Sequence, residues 1–161
     1  MSSLAEDLER YRRGAEVLAT VLTGAAGDEV DYAPAPGKWT IRQIMAHLAD
    51  AELVGAHRFR LVIAEENPTL TWFDQDAWTK NLDYARRKPT QSLDTFRRLR
   101  AENYELLKGL PESAFGRVGS HTQNGPMSLR QLLQGYSDHA ESHARQLQAI
   151  RAEYKNVKGK K

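Results

Sequence analysis

The chain has no cysteine among its 161 residues. That excludes thiolate metal ligands, a cysteine nucleophile and any disulfide framework. A thiol nucleophile, if the protein uses one, has to arrive as a separate molecule. Long apolar runs are also missing: no window approaches the length of a membrane span. The opening stretch MSSLAEDLERYRR lacks the apolar centre of a secretion signal. A cytoplasmic chain with no membrane partner is the expectation. Charge of one sign is scarce, with a formal net charge of +2. Much of the basic excess sits in the terminal YKNVKGKK, while the internal Arg and Lys are mixed with Asp and Glu. Nucleic-acid binding asks for a basic stripe with interleaved aromatics, so no nucleic-acid partner is expected.

What is present is an ordinary globular balance, 40% apolar and 27% charged. The length fits one domain, expected over residues 1–154, followed by a basic flexible tail over 155–161. Four stretches carry helical periodicity. In the first, Leu4, Leu8, Tyr11, Ala15, Leu18 and Leu22 form one stripe behind the capping-box pair Ser3 and Glu6, and Gly24 and Gly27 mark its end. The second begins at Thr40, with Gln43 in the same capping spacing, and runs to Asn67-Pro68. The third spans about Ser92 to Leu110, and the fourth starts at Ser128 with Gln131 three residues on. No stretch shows strand alternation with hairpin turns. These features predict an all-α, four-helix bundle with long connections between helices two and three and between helices three and four. The first of these, residues 68–90, holds Trp72, Phe73, Trp78 and Tyr84 and reads as a flap with a short helix over Asp76–Tyr84. The second, residues 111–127, is rich in glycine and polar residues.

Two histidines, His139 and His143, stand four apart in the last helix, where His143 falls into the apolar rhythm of Tyr136 and Leu147. At about 100° per residue, their side chains lie only about 40° apart on one face. A buried imidazole needs partners for its ring nitrogens, and a metal supplies one. His47, between Ile44 and Leu48 of the second helix, is a third histidine close to an apolar stripe. If the two helices are neighbours, the three rings converge on one ion and leave a coordination position open, as in catalytic sites. Residue chemistry alone leaves this reading beside that of buried structural histidines. His57 lies off the His47 direction and reads as surface or local packing; His121, in a glycine-rich loop, reads as exposed or at a pocket mouth. Two other metal chemistries fail. The order His-Ala-Glu-Ser-His does not match the zincin H-E-x-x-H. No histidine has a glutamate three residues before it, as di-iron carboxylate bundles require.

The blocks PGKWTIRQIMAHLADAE and GPMSLRQLLQGYSDHAESHARQL together resemble the DinB-like superfamily of bacterial four-helix-bundle proteins, over roughly residues 5–152. The family pattern W-[ST]-x-x-[EQ]-x-x-x-H falls on Trp39, Thr40, Gln43 and His47; its H-x-x-x-H-x-x-Q falls on His139, His143 and Gln146. The resemblance implies a divalent metal, nickel or zinc, held by His47, His139 and His143, and a homodimer. Some relatives transfer low-molecular-weight thiols to electrophiles or isomerise with their help. Others are named as metal-dependent hydrolases, and many have no assigned reaction. The expected function is therefore thiol S-transfer or hydrolysis of a small molecule, with a non-catalytic metal-binding or stress-related bundle as the alternative. Around the site, Asp50 is the candidate carboxylate to orient an imidazole, act as base or complete the coordination, with a solvated helix aspartate as the equal alternative. Gln146 is expected to support His143 or to bond within the core. Arg58 faces the His47 side and is placed to meet an anionic substrate or to cover the surface, and Trp72 and Trp78 are candidates either to wall the pocket or, as the more usual role, to pack the core of the flap.

Overall fold

A computed structural model describes residues 1–160 of the chain. Four long helices dominate it: α1 (Leu4–Val21), α2 (Ile41–Ala64), α4 (Pro89–Lys108) and α5 (Leu129–Gly159), with a short α3 (Gln75–Asn81) between the second and third. Three of the long helices start as their sequences predict. Ser3 with Glu6, Thr40 with Gln43 and Ser128 with Gln131 each exchange reciprocal hydrogen bonds in a full capping box. Such a cap satisfies amide groups that the first turn leaves unpaired, and is worth about 0.5–2 kcal/mol. α4 begins earlier than its apolar rhythm indicates, at Pro89. Proline fits the first helical position because its missing N–H would have no helical partner there anyway. At the other end of the chain, α5 continues through residues 155–159, which the sequence assigned to the flexible tail; they are exposed but helical. Lys161, the last residue of that expected tail, lies outside the described residues.

α1 packs on α4 and α5, and α2 packs on the same two helices. Around the bundle the order is therefore α1, α4, α2, α5, so that α1 and α2, consecutive in sequence, lie diagonally opposite. The same holds for α4 and α5. Short loops serve adjacent antiparallel helices; diagonal partners require chain that crosses an end of the bundle. Residues 22–40 make one crossing, through a 3-10 turn at Gly27–Asp31 that buries Val30 in the core. Residues 109–128 make the other, with Phe115 buried in a 3-10 turn at Glu112–Gly116.

The all-α bundle is as expected, but its long connections also pair with each other. β2 (Val118–His121) and β3 (Gly125–Ser128) form an antiparallel hairpin, and β1 (Thr69–Leu70) joins β2 in parallel, Leu70 opposite His121. Strands of two to four residues are too short to show a period-two pattern. Gly119 lets this sheet sit close on α2: a Cβ there would come within 3.0 Å of Leu70 and 3.1 Å of Val62, tight enough to push those side chains back.

The core has two apolar clusters. One gathers Leu18, Ile44, Leu48, Phe96 and Leu147, the other Tyr11, Phe59, Val62, Leu107 and Leu133. Between them lies a polar layer that the sequence reading did not anticipate. Glu52 and Arg100 are each 1% exposed and form an ion pair with Nη2–Oε2 at 2.8 Å. Arg100 also donates to the carbonyls of Tyr11 and Tyr136 and lies over the rings of Tyr11 and Phe96. The Tyr11 hydroxyl donates to Glu52 and accepts from Asn103. All four long helices contribute to this layer. No helix of the described residues is long and apolar enough to cross a membrane.

Candidate metal centre

Because α2 and α5 are neighbours, His47 comes to face His139 and His143. One nitrogen from each ring falls within 4.8 Å of the other two, and among the described residues no carboxylate belongs to this cluster. Ring centroids stand 4.6–5.1 Å apart, and the Nε2 atoms of His47 and His139 are 2.9 Å from one another. Two facing imidazole nitrogens at that distance can hold only one proton between them, or share an ion.

Burial decides the charge state. It pushes the pKa of His47 down to about 4, helped by the neighbouring His143 and opposed by Asp50. Burial likewise takes His139 down to about 3, reinforced by His143, His47 and Arg100. His143 is lowered by burial and partly restored by its hydrogen bond to Gln146. At neutral pH the three rings are therefore neutral and offer lone pairs, the state a metal requires. The Nδ1 of His143 lies 2.8 Å from the Gln146 amide oxygen. A neutral ring donates Nδ1–H there and keeps Nε2 bare, so Gln146 sets the tautomer, as outer ligand-supporting groups do at metal sites. Trp39 covers His47 with its ring centroid 5.0 Å away. The donor set fits a divalent ion: three neutral nitrogens, convergent, with one ring oriented from behind.

Asp50 is placed otherwise than the sequence indicated. Its carboxylate accepts from the Tyr84 hydroxyl at 2.7 Å and forms an ion pair with Arg87 at 3.0 Å, so it ties the α2–α4 connection to α2. It lies outside the nitrogen cluster and affects His47 only through its charge. Arg58 lines a cavity of about 200 Å³ that reaches His139. Neither Trp72 nor Trp78 lines that cavity. Trp72 is 45% exposed, and Trp78 instead backs Phe73, whose ring lies 4.5 Å away and does line it. His57 is exposed, as expected. His121, expected to be exposed or at a pocket mouth, is buried on β2 and lines the same cavity, as does Tyr136. Its burial comes from pairing with β1 and β3, a contact between distant segments that left no mark in the local sequence.

A bundle of this order, with an open three-imidazole cluster between α2 and α5, defines a class of helical proteins that the sequence comparisons identify. Residues 10–147 match the DinB superfamily, and the chain belongs to it. A relative from Oceanobacillus iheyensis, named "Putative metal-dependent hydrolase OB0782", is 29% identical over 139 residues, covering 86% of this chain and 76% of its own length. "Putative metal-dependent hydrolase YfiT" of Bacillus subtilis is 32% identical over 108 residues, covering 66% of this chain and 61% of its own. The solved structure of YfiT, described as "a probable metal-dependent hydrolase with an unusual four-helix bundle topology", superposes with a TM-score of 0.88 at 23% identity, covering 96% of this chain and 90% of that one. At that identity the superposition establishes the fold.

Proposed function

We propose that the chain is a metal-dependent enzyme acting on a small molecule in the cytoplasm, with a divalent ion, nickel or zinc, held by His47, His139 and His143. The observation that carries this is the convergence of three neutral imidazole nitrogens within 4.8 Å with no carboxylate closing the set. When bound, such an ion supplies Lewis acidity to a thiol or water that meets it. The chain's own residues hold the site in place. Gln146 fixes the His143 ring, Trp39 shields His47 from water on one side, and the cavity beside His139 receives the reacting molecule.

Transfer of a low-molecular-weight thiol to an electrophile is the reaction we favour. A carboxylate base would assist attack by water, and the nearby carboxylates are already engaged, Asp50 with Arg87 and Tyr84 and Glu52 with Arg100. A thiol is acidic enough to react with less help. Hydrolysis is the second reading, supported by the names of the relatives. A homodimer belongs to the proposal on family resemblance alone.

Elemental analysis of protein purified without an affinity tag tests the metal, with His47→Ala as control. About one ion per chain in wild type and a large loss in the variant is the expected result. Turnover with thiol plus an activated aryl halide, against a panel of esters and amides, separates the two reactions. Metal uptake with no turnover in either assay would leave a binding protein in place of an enzyme.

A further inference from the structure

The cavity beside the histidine cluster has a lining that metal binding does not use. Its volume, about 200 Å³, exceeds the roughly 150 Å³ that suffices for benzene, so it suits one ring with a short substituent. Phe73, Met127 and Leu132 give it apolar surface, and no Asp or Glu lines it. The remaining chemistry is contributed chiefly by hydrogen-bond donors.

Arg58 spends Nη1 on the Tyr136 hydroxyl at 3.2 Å and Nη2 on the Thr71 carbonyl at 2.7 Å. Its Nε is buried without a partner, and among the described residues no carboxylate neutralises the guanidinium. That Nε has no surface open to the cavity; what a bound anion would answer is the unneutralised charge of the guanidinium, whose burial without a counter-charge is costly. His121 is oriented by its own turn: the backbone N–H groups of Gln123 and Asn124 both donate to its Nδ1 at 3.1 Å. That assigns the proton of the neutral ring to Nε2. Burial, with the charge of Arg58, lowers the pKa of His121 and keeps the ring neutral. Tyr136, whose hydroxyl accepts from Arg58, retains an O–H to donate. Its ring is seated against Gly55, where a Cβ would come within 2.7 Å.

We propose that this cavity binds the carboxylate of a small ring-bearing substrate, with Arg58 as its charge partner and the Nε2–H of His121 as a second donor. A carboxylate is acceptor-only and brings the negative charge that the Arg58 guanidinium otherwise lacks. The apolar residues take the ring, and the proximity of His139 brings the rest of the molecule to the metal centre. This rests on the proposed function only for the claim that the bound molecule then reacts.

The test is binding to metal-free protein, measured by calorimetry with 3-phenylpropionate and its neutral amide. Wild type should bind the acid about tenfold or more tightly than the amide, as one charge-assisted hydrogen-bonded contact provides. Arg58→Gln should bring the two affinities together by weakening the acid more than the amide, and Arg58→Lys should fall between. For His121, Asn keeps an acceptor in place of Nδ1 but loses the distal N–H, whereas Gln restores an N–H near the Nε2 position. His121→Asn should therefore weaken acid binding several-fold and His121→Gln should recover part of it. Amide binding reports that each variant is folded with its cavity intact. Equal affinity for acid and amide in wild type, or an acid preference that survives Arg58→Gln, overturns the proposal. Because the metal is absent throughout, the outcomes separate: discrimination without metal uptake in the intact protein sinks the proposed function and leaves the carboxylate site standing. Metal uptake without discrimination does the reverse.

Discussion

Glu52→Gln preserves the shape of the side chain and removes the counter-charge of a guanidinium that is 1% exposed. Arg100 would keep its hydrogen bonds to the carbonyls of Tyr11 and Tyr136 and its place over two aromatic rings. It would lose the charge facing Nη2 at 2.8 Å, where a Gln amide group would set donor against donor. Breaking a buried pair by removing one partner costs about 3–5 kcal/mol, because the surviving charge stays desolvated. Against a total stability of about 5–15 kcal/mol, that is a large share. For a domain of this size it corresponds to a fall in Tm of roughly 6–20 °C. Urea unfolding followed by circular dichroism measures it directly, with an unchanged m-value confirming that stability alone moved. The double variant Glu52→Gln with Arg100→Met removes both charges and should unfold at higher urea than Glu52→Gln alone. A Glu52→Gln protein within about 1 kcal/mol of wild type would refute the reasoning, since the Arg100 charge would then be stabilised by something other than Glu52.

Three further outcomes follow from the site and its surroundings. Gln146→Leu leaves all three ligand nitrogens but frees the His143 ring, and should weaken metal binding about 10–100-fold in competition with a chromogenic chelator; unchanged affinity would show that Gln146 does not set the tautomer. Gly135 lies inside α5 at the cavity, and a Cβ there meets nothing within 4 Å. Gly135→Ala should therefore raise Tm by about 2–4 °C through helix propensity, and a lower Tm would mean that the space is not free. Acidification should destabilise the metal-free protein. His47 and His139 have folded pKa values of about 4 and about 3, below the ordinary 6.5. The unfolded chain thus binds protons first, and stability is complete above about pH 6.5 and declines as pH falls toward 3. Thermal melts from pH 7.5 to 4 in chelator should show this slope, and a flat profile would contradict the burial of these rings.

The bundle was legible because its signals are local: apolar stripes at helical spacing and three capping boxes whose partners stand three residues apart. The histidine cluster was legible for a related reason. His139 and His143 share a face by spacing alone, and only the adjacency of α2 and α5 had to be supplied. What escaped the sequence depends on distant pairing. Glu52 and Arg100 look like solvated helix charges until four helices close around them, 48 residues apart in the chain. Asp50 looked available because its partners, Tyr84 and Arg87, come from a connection whose path no periodicity reveals. In the same connection the sequence indicated Trp72, while its neighbour Phe73 reaches the cavity. The phase of an irregular segment is set by packing and not by residue type.

The diagonal placement of consecutive helices bears on how the chain acquires its shape during synthesis. α1 rests on α5, and Arg10 reaches Glu141 across 131 residues. A nascent chain carrying only the first two helices therefore holds no adjacent pair and has no hairpin to settle into. Contacts between the chain ends are slow to form, and here they also complete the imidazole cluster. Completion of that cluster is expected to wait for release of the final helix from the ribosome, so that premature termination yields chains in which α1, α4 and α2 can meet but no ion site exists.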